Sequence, residues 1–374
     1  MPIAKPPDPN SRMAPYPTKP YTEGALSFDP DSVYSEDIKT PSSVVQQCLK
    51  VHGLWPAITY LFSLPEEDDY VYHATASVTL EQVQKAILAG NTNGLHDWYV
   101  DGDGKAVGHP PSSDVNAYIT LFDPSRNAGN TLKGFVSNAK KNSIRAGVAE
   151  WLSGKRYLDP SITVSKRKAP FLNPYIEFWA WSCRNLEYGG PDANMASVKM
   201  SHHVLPVFMH HFGCVCPSYE ALEIIKNVSE GKVVLDVGCG NGYWTYMLRK
   251  HGLEVIGADN EQSRYRTCWI GDVAFEDGLS FLKKRQGGKE DVLLLVYPIT
   301  ANDFTGAMLK AFKGDIICVV GTQNSSGYTC FRDQVVDEWM EKNRPEMKLM
   351  ARTPLPSFAG KDEALFAWKR NKND

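Results

Sequence analysis

The feature that most constrains the fold is a short apolar run followed at once by a turn containing three glycines. Residues 233–244 read VVLDVGCGNGYW, so a strand of the buried type, Val233–Val237, leads into Gly238, Gly240 and Gly242. Because these glycines have no Cβ, they allow a tight strand-to-helix turn in which a ligand can lie against backbone N–H groups at the start of a helix. The segment therefore predicts an α/β fold with a ligand-binding loop.

Beyond this loop the chain alternates short apolar strands with amphipathic helices, a pattern typical of βαβ units and a parallel sheet. A helix is predicted at Tyr243–His251, and the strand Glu254–Ala258 places Asp259 at its carboxyl end. The later predicted elements are a third strand at Thr267–Ile270, a helix at Glu276–Lys284, a strand at Val292–Val296, a helix at Phe304–Phe312, a strand at Ile316–Val320, a helix at Phe331–Lys342, and two final strands at Lys348–Arg352 and Ala364–Trp368.

These motifs resemble the class I (Rossmann-like) S-adenosylmethionine-dependent methyltransferases. The first motif of that family reads acidic-x-Gly-x-Gly-x-Gly, which Asp236 to Gly242 matches at every position, whereas a dinucleotide site places its third glycine one residue further on. The family's sheet has seven strands and is mostly parallel, with an antiparallel last strand, and the two final predicted strands fit this. The resemblance covers about Ser218 to Trp368 and implies S-adenosylmethionine as cofactor. The approach to the loop, FGCVCPSYEAL, resembles a eukaryotic, fungal-like branch.

The resemblance also implies which residues contact the cofactor. Asp236 and the loop would hold its amino-acid part, Asp259 would accept hydrogen bonds from the ribose hydroxyls, and Asp272 would meet the adenine amino group. The full implied set is Asp236, Gly238, Gly240, Asn241, Gly242, Asp259, Asn260, Asp272 and Val273. Each of these three carboxylates could instead have only a structural role, in stabilising the turn in which it lies. About ten residues separate Asp259 from the third predicted strand, so the helix usual there is expected to be shortened or missing.

The methyl acceptor is less constrained. The loop Tyr297–Pro298–Ile299–Thr300 lacks the Asp/Asn-Pro-Pro-aromatic pattern of amino-methylating relatives, which argues against standard adenine or glutamine N-methylation, while Tyr297 is expected to line the acceptor pocket. His203 and His210 are seven residues apart on a predicted helix, Lys199–Phe212, and would share a face. They are candidates for an acceptor-site base or orienting group, with a structural role as the alternative. No metal is expected, because no C-x-x-C pair accompanies them.

The chain is expected to divide into a flexible Pro-rich arm at 1–40, a mainly helical region at 41–213 that supplies the acceptor site and lid, and a cofactor domain at 214–374. With 43% apolar content, 374 residues can bury a large core. In the middle region, Thr79 and Gln82 form a possible capping box for a helix that ends at Gly90. The aromatic run at 175–181 is expected in the core, or alternatively around a planar or cationic acceptor.

Composition narrows the function further. The net charge of -3 gives no global basic field, so a small-molecule acceptor with an N or O nucleophile is the leading expectation. The basic clusters Lys140–Arg145 and Lys166–Lys168 keep RNA or protein as an alternative acceptor, and a non-catalytic cofactor-binding scaffold is a further alternative. Scattered cysteines and the lack of an apolar stretch near ~20 residues predict a reduced, cytoplasmic protein, with the nucleus as the alternative, and no membrane span.

Overall fold

The computed structural model describes residues 28–33, 40–74, 76–90, 103–106, 108–198, 201–260 and 265–371. Its helices are α1 (Pro30–Val33), α2 (Thr40–Lys50), α3 (Leu54–Phe62), α4 (Leu80–Ala89), α5 (Ser112–Ile119), α6 (Ala128–Ser137), α7 (Ile144–Lys155), α8 (Pro174–Asn185), α9 (Val204–Phe212), α10 (Tyr219–Ser229), α11 (Tyr243–Lys250), α12 (Gly278–Lys284), α13 (Phe304–Ala311) and α14 (Val336–Asn343). Its strands are β1 (Val71–His73), β2 (Ser77–Thr79), β3 (Tyr157–Leu158), β4 (Val234–Val237), β5 (Val255–Asp259), β6 (Ala274–Phe275), β7 (Val292–Val296), β8 (Ile316–Thr322), β9 (Met347–Pro354) and β10 (Glu363–Arg370). None of the helices in these ranges is long and apolar enough to cross a membrane.

A mixed sheet forms the centre of the described residues, with strand order β3-β9-β10-β8-β7-β4-β5-β6. The strands from β8 to β6 pair in parallel, whereas β10 runs antiparallel to both β8 and β9. This confirms the predicted Rossmann-like, mostly parallel sheet with an antiparallel last strand. The helical region adds an eighth strand that was not predicted, because β3 pairs antiparallel with β9 at the outer edge.

The predicted third strand at Thr267–Ile270 is wrong. The strand that pairs with β5 is β6, Ala274–Phe275. Residues 265–270 instead run irregularly between α9 and the glycine loop, where the N–H of Trp269 donates to the carbonyl oxygen of Asn241 at 2.8 Å and its indole Nε1 donates to the carbonyl oxygen of His211 at 2.6 Å. Trp269 and Ile270 are buried in the core without strand pairing. Their apolar character therefore reflects packing beneath the loop.

One hydrophobic core joins the helical region to the sheet. Val45 of α2, Phe62 of α3 and Phe208 of α9 belong to the same buried cluster as Val234 of β4 and Leu365 of β10. A second buried cluster covers the opposite face of the sheet, beneath α12, α13 and α14. The regions 41–213 and 214–374 thus share a core, and their division into separate functional units stays a prediction.

Two predictions for the helical region are confirmed. The backbone N–H of Gln82 donates to Thr79 Oγ1 at 3.2 Å and the backbone N–H of Thr79 donates to Gln82 Oε1 at 2.9 Å, which is the expected capping box of α4. The aromatic side chains of the run at 175–181 are buried in the core, as predicted: Tyr175, Phe178, Trp179 and Trp181.

The predicted arm at 1–40 lies mostly outside the described residues. In its described part, the Phe28 ring packs against Phe62 and Trp269, with ring centroids 5.1 and 4.9 Å apart. The Asp31 carboxylate forms an ion pair with the ammonium group of Lys250 in α11 at 2.7 Å. This part of the arm is therefore laid against the outer side of α11 and the segment that supports the glycine loop.

Candidate functional site

The glycine loop adopts a backbone that only glycine takes without strain. Gly238, Gly240 and Gly242 have φ values of 79°, 57° and 78°. A Cβ on Gly240 would lie 2.6 Å from the hydroxyl oxygen of Tyr265, and one on Gly242 would overlap Ile270. The backbone conformation favours glycine at all three positions, and at Gly242 the lack of space excludes a Cβ as well. The three glycines bring the loop backbone to the start of α11.

Asp259 fixes the loop from the neighbouring strand. Its Oδ2 accepts a hydrogen bond from the N–H of Gly240 at 2.9 Å. Because β4 and β5 are adjacent parallel strands, their carboxyl ends meet at the same edge of the sheet, which places this carboxylate beside the loop.

Asp236 lies beneath the loop. Its side chain is fully buried, its Oδ2 accepts a hydrogen bond from Thr245 Oγ1 of α11 at 2.6 Å, and its Oδ1 has no hydrogen-bond partner among the described residues. Burial raises the pKa of this carboxyl to about 7. The visible role of Asp236 is to tie β4 to α11, and its carboxylate does not form part of the cavity wall described next.

A cavity of about 320 Å³ opens at the carboxyl edge of the sheet. The strand order reverses at β4, since β7 and β8 lie on one side of it and β5 and β6 on the other. Ligands of open α/β sheets bind at such a switch point. We call the glycine loop and the β5–β6 side the cofactor end; its lining residues are Gly238, Gly240, Asn241, Asp259, Asn260 and Glu276. We call the β7–β8 side the acceptor end; its lining residues are Met209, Cys214, Tyr297, Pro298, Ile299 and Tyr328.

Asp272 and Val273 do not line this cavity. Because the third strand begins at Ala274, both residues precede it instead of following it. The Asp272 carboxylate is 65% exposed and forms a two-point ion pair with Arg249 at 2.8 and 3.0 Å, which lowers its pKa. The acidic residue that does follow the strand is Glu276, which lines the cavity and pairs with Lys284 at 2.6 Å. Sequence reasoning missed Glu276 because it placed the third strand too early.

The two candidate histidines lie outside the cavity wall. His203 is half-buried at the N-cap of α9. His210 is buried, and its ring nitrogens hydrogen-bond with the Tyr70 hydroxyl at 2.8 Å and the carbonyl oxygen of His73 at 2.9 Å. Burial lowers the pKa of His210, so the neutral ring is favoured. The contacts of His210 are those of a residue that anchors β1 on α9, which is the structural alternative.

Tyr297 does line the cavity, as the sequence predicts. It follows β7 with a φ of 50°, a left-handed conformation that is rare for a bulky residue and that clusters at functional sites. Its N–H donates to the carbonyl oxygen of Val320 in β8 at 2.7 Å, which holds this conformation in place. Burial raises the pKa of the phenol well above its usual value, so the hydroxyl stays protonated.

Neither basic cluster contributes to the cavity wall. Lys140, Lys141, Lys166 and Lys168 are exposed, and Arg145 is engaged in an ion pair with Asp114 at 3.1 Å. The chain between the clusters forms β3, which lies five strands from β4. Arg167 of the second cluster lies over the ring of Tyr219 in α10, 5.9 Å from its centre. Among the described residues, no group of three or more His, Cys, Asp or Glu side chains is arranged to hold a metal ion.

No protein-family model matches this sequence, and no curated protein matches it either. Solved structures with a similar fold include 1,6-didemethyltoxoflavin-N1-methyltransferase from Burkholderia thailandensis with bound 1,6-didemethyltoxoflavin and S-adenosylhomocysteine (15% identity, 41% of this chain and 78% of that one, TM-score 0.32). Others are TehB from Haemophilus influenzae (13% identity, 45% and 67%, TM-score 0.30) and a ribosomal protein methylase from Lactobacillus delbrueckii subsp. bulgaricus (14% identity, 40% and 75%, TM-score 0.27). These likenesses concern the fold, and the fungal-like branch has no support among them.

Proposed function

We propose that this protein is an S-adenosylmethionine-dependent methyltransferase. The observation that carries the proposal is the cavity at the switch point, where a Gly-x-Gly-x-Gly loop in the left-handed backbone region meets the carboxylate of Asp259 at 2.9 Å. The motif that resembles the methyltransferase family and the geometry of the sheet point to the same ligand. The alternative of a non-catalytic scaffold would be favoured by a damaged loop, whereas this loop is intact.

The donor set of the cofactor end fits the chemistry of S-adenosylmethionine. The loop backbone at Gly238 and Gly240 would lie beside the amino-acid part and the sulfonium, and the Asp259 carboxylate would accept hydrogen bonds from the ribose hydroxyls. Asn241 lines the cavity while buried, and its Nδ2 has no hydrogen-bond partner among the described residues. A buried amide without a partner is costly, and a ligand carboxylate or hydroxyl at the loop would satisfy it.

The chain's own residues then do two things for methyl transfer. The cofactor supplies an activated methyl group when it is bound. The protein has to position the acceptor in line with that group and to exclude water. The acceptor end provides apolar and aromatic walls for this purpose, from Met209, Ile299, Tyr297 and Tyr328.

A small-molecule acceptor is the proposal that the site supports best. The acceptor end of the cavity is lined mostly by apolar and aromatic side chains, and neither of the basic clusters that would dock RNA or an acidic protein surface contributes to this lining. No contact at the cavity favours a macromolecular acceptor over a small one. A nucleophilic nitrogen or oxygen is expected as the methylated atom.

Calorimetric titration of S-adenosylmethionine tests the proposal. The wild-type protein is expected to bind, and Asp259→Ala is expected to bind at least ~10-fold more weakly, since it loses charge-assisted hydrogen bonds to the ligand. Asp272→Ala is the matched control, because it removes an acidic side chain that lies only 13 residues after Asp259 in the sequence but outside the cavity. Failure of the wild-type protein to bind would disprove the function; equal losses in both variants would disprove the assignment of Asp259.

A further inference from the structure

Two loops form much of the acceptor end, and they are tied to each other. The first loop, residues 297–303, follows β7, and the second loop, residues 323–335, follows β8. The carbonyl oxygen of Pro298 accepts hydrogen bonds from Thr329 Oγ1 at 2.6 Å and from the Cys330 N–H at 2.9 Å. Both donors belong to buried residues, where a hydrogen bond is stronger than in water. The two loops therefore form a wall whose parts are fixed relative to each other.

Three side chains of these loops line the acceptor end: Tyr297, Ile299 and Tyr328. The backbone of Tyr297 is held by its hydrogen bond to β8, as described above. The Tyr328 ring is held by Lys361, whose ammonium lies 3.7 Å from the ring centre. Lys361 is buried and is not part of the cavity wall. The orientation of both rings is thus set by the protein.

Two large apolar side chains of this wall remain partly in contact with water. Ile299 is 48% exposed and Tyr328 is 37% exposed, although both line the cavity. A ligand that covers them removes apolar surface from water, which favours binding. The rings of Tyr297 and Tyr328 add a preference for a flat partner, because aromatic rings pack best against each other in offset or edge-to-face arrangements.

The charge of the wall is uneven. In the part of the chain that the structure describes, the charged side chains of the cavity wall are acidic, Asp259 and Glu276, and both belong to the cofactor end. At the acceptor end, burial raises the pKa of Cys214 to about 11 and the pKa of Tyr297 well above its usual value, so both groups stay neutral. An anionic acceptor would have to exchange water for an apolar wall beside two carboxylates, which is costly. An uncharged acceptor avoids this cost, and a cation is attracted by the carboxylates and the aromatic faces.

We propose that the acceptor end takes a flat, apolar acceptor that is uncharged or cationic, that it rejects carboxylates and phosphates, and that Ile299 and Tyr328 are the residues that select this class. This inference rests on the proposed function and names the class of its substrate. Thr329 acts as a positioning residue, because it works through the carbonyl oxygen of Pro298 and does not touch the acceptor.

The test uses the full chain saturated with S-adenosylhomocysteine, the demethylated cofactor, and three probes that share a phenol ring and differ in charge. At pH 7.5 para-ethylphenol is uncharged, tyramine is a cation and para-hydroxyphenylpropanoate is an anion. Calorimetry should show that the wild-type protein binds the uncharged probe and the cation. The anion should bind at least ~10-fold more weakly than the uncharged probe, because it finds no counter-charge at the wall.

A charge placed in the wall should reverse this order. Ile299→Lys is expected to raise the affinity for the anionic probe about 10-fold and to lower the affinity for tyramine, because an ammonium group then lies at the acceptor end. Leu88→Lys is the matched control. It adds the same charge at a position of α4 that is 64% exposed and outside the cavity, so it should bind all three probes like wild type.

The role of Thr329 has its own pair of variants. Thr329→Val keeps the shape of the side chain and removes the hydroxyl that bonds to Pro298, so the affinity for the uncharged probe should fall about 5-fold, the value of one hydrogen bond. Thr329→Ser keeps the hydroxyl and should restore the affinity. Equal affinities in these two variants would overturn the positioning role of the hydroxyl.

Three results would overturn the proposed acceptor class. They are a wild-type protein that binds the anion as tightly as the uncharged probe, a wild-type protein that binds none of the probes, and an Ile299→Lys variant whose affinities equal those of Leu88→Lys. Failure of the wild-type protein to bind S-adenosylmethionine would instead disprove the proposed function, so the two failures are distinguishable. The affinity of each variant for S-adenosylhomocysteine, expected within twofold of wild type, reports whether the fold is intact.

Discussion

The two ends of the cavity are built in different ways. The cofactor end comes from residues 238–276 and uses mostly backbone geometry, with glycines at φ values of 57° to 79° and one carboxylate, Asp259, that bonds to the loop. The acceptor end combines side chains from α9 and its following turn, from the loop after β7 and from the loop after β8, where Lys361 packs against the Tyr328 ring. The cofactor end therefore comes from one stretch of the sequence, whereas the acceptor end forms only where segments far apart in the chain meet.

This difference predicts different phenotypes. A change at the cofactor end should act on the affinity for S-adenosylmethionine, because in the proposed function the loop backbone holds this ligand. A change at the acceptor end should act on turnover and leave that affinity unchanged. A change in the segment that supports both ends should act on stability first.

The largest effect is expected in the shared support. Arg266 forms an ion pair with Asp68 at 2.9 Å, with 7% and 6% of the two side chains exposed, and its guanidinium lies over the Tyr70 ring. Arg266→Met should lower the free energy of unfolding in urea by about 3–5 kcal/mol, because Asp68 is left as a buried unpaired charge. Arg126→Met breaks an exposed pair, with 60% and 36% of the side chains exposed, and should cost under ~1 kcal/mol. Similar losses in both variants would contradict a supporting role for the buried pair.

The second prediction concerns the pH dependence of stability that follows from Asp236, the carboxyl group beneath the glycine loop. The pKa of Asp236 is about 7 in the folded protein against 3.8 for the unperturbed group, so the folded state holds this proton more tightly. The protonated Asp236 carboxyl therefore stabilises the folded state fully below about pH 4. This stabilisation falls as pH rises to about 7 and stays low above it. Asp236→Asn does not titrate, and between pH 4.5 and 8 it should gain up to roughly 4 kcal/mol relative to wild type in urea unfolding. A pH-independent effect of Asp236→Asn would refute the buried-carboxyl explanation.

The third prediction isolates the loop geometry. Gly240→Val places a branched side chain at φ 57°, which strains the loop backbone, and its Cβ would lie 2.6 Å from the Tyr265 hydroxyl oxygen, so the Tyr265 side chain must also shift. Calorimetry should show a loss of affinity for S-adenosylmethionine of ~100-fold or more, about 2.7 kcal/mol. Gly154→Val makes the same change on an open face of α7, where no atom lies within 4 Å of an added Cβ, and should bind like wild type. Wild-type affinity in Gly240→Val would show that the loop does not hold the cofactor.

The smallest effect is expected at the acceptor end. Tyr297→Phe removes one hydroxyl from the cavity wall and should lower kcat for methyl transfer from labelled S-adenosylmethionine by about 10-fold, the value of a single hydrogen bond to the acceptor. The affinity for S-adenosylmethionine should stay within twofold. Tyr157→Phe removes a hydroxyl from β3 at the outer edge of the sheet and serves as the control. A loss of cofactor affinity in Tyr297→Phe, with kcat unchanged, would erase the distinction between the two ends.

Much of the fold was predictable because it depends on local patterns. The strands β4, β5, β7 and β8 were placed within two residues at each end, since short apolar runs between turn signals mark buried parallel strands. The third strand was misplaced, because Trp269 and Ile270 are apolar for packing against α9 and the loop. A two-residue strand such as β6 carries too little pattern to be recognised.

The sequence by itself determined the cofactor end: the glycine spacing forces one backbone path, and the strand that follows delivers Asp259 to it. It also indicated Tyr297, because a residue that follows a buried parallel strand lies at the edge where ligands bind. Only the tertiary structure decided that His210 hydrogen-bonds with Tyr70 and His73, that Glu276 follows the third strand, and that Lys361 packs against Tyr328. The physical reason is that these assignments depend on burial and on contacts between residues far apart in the chain, such as Tyr70 and His210, which no local spacing encodes.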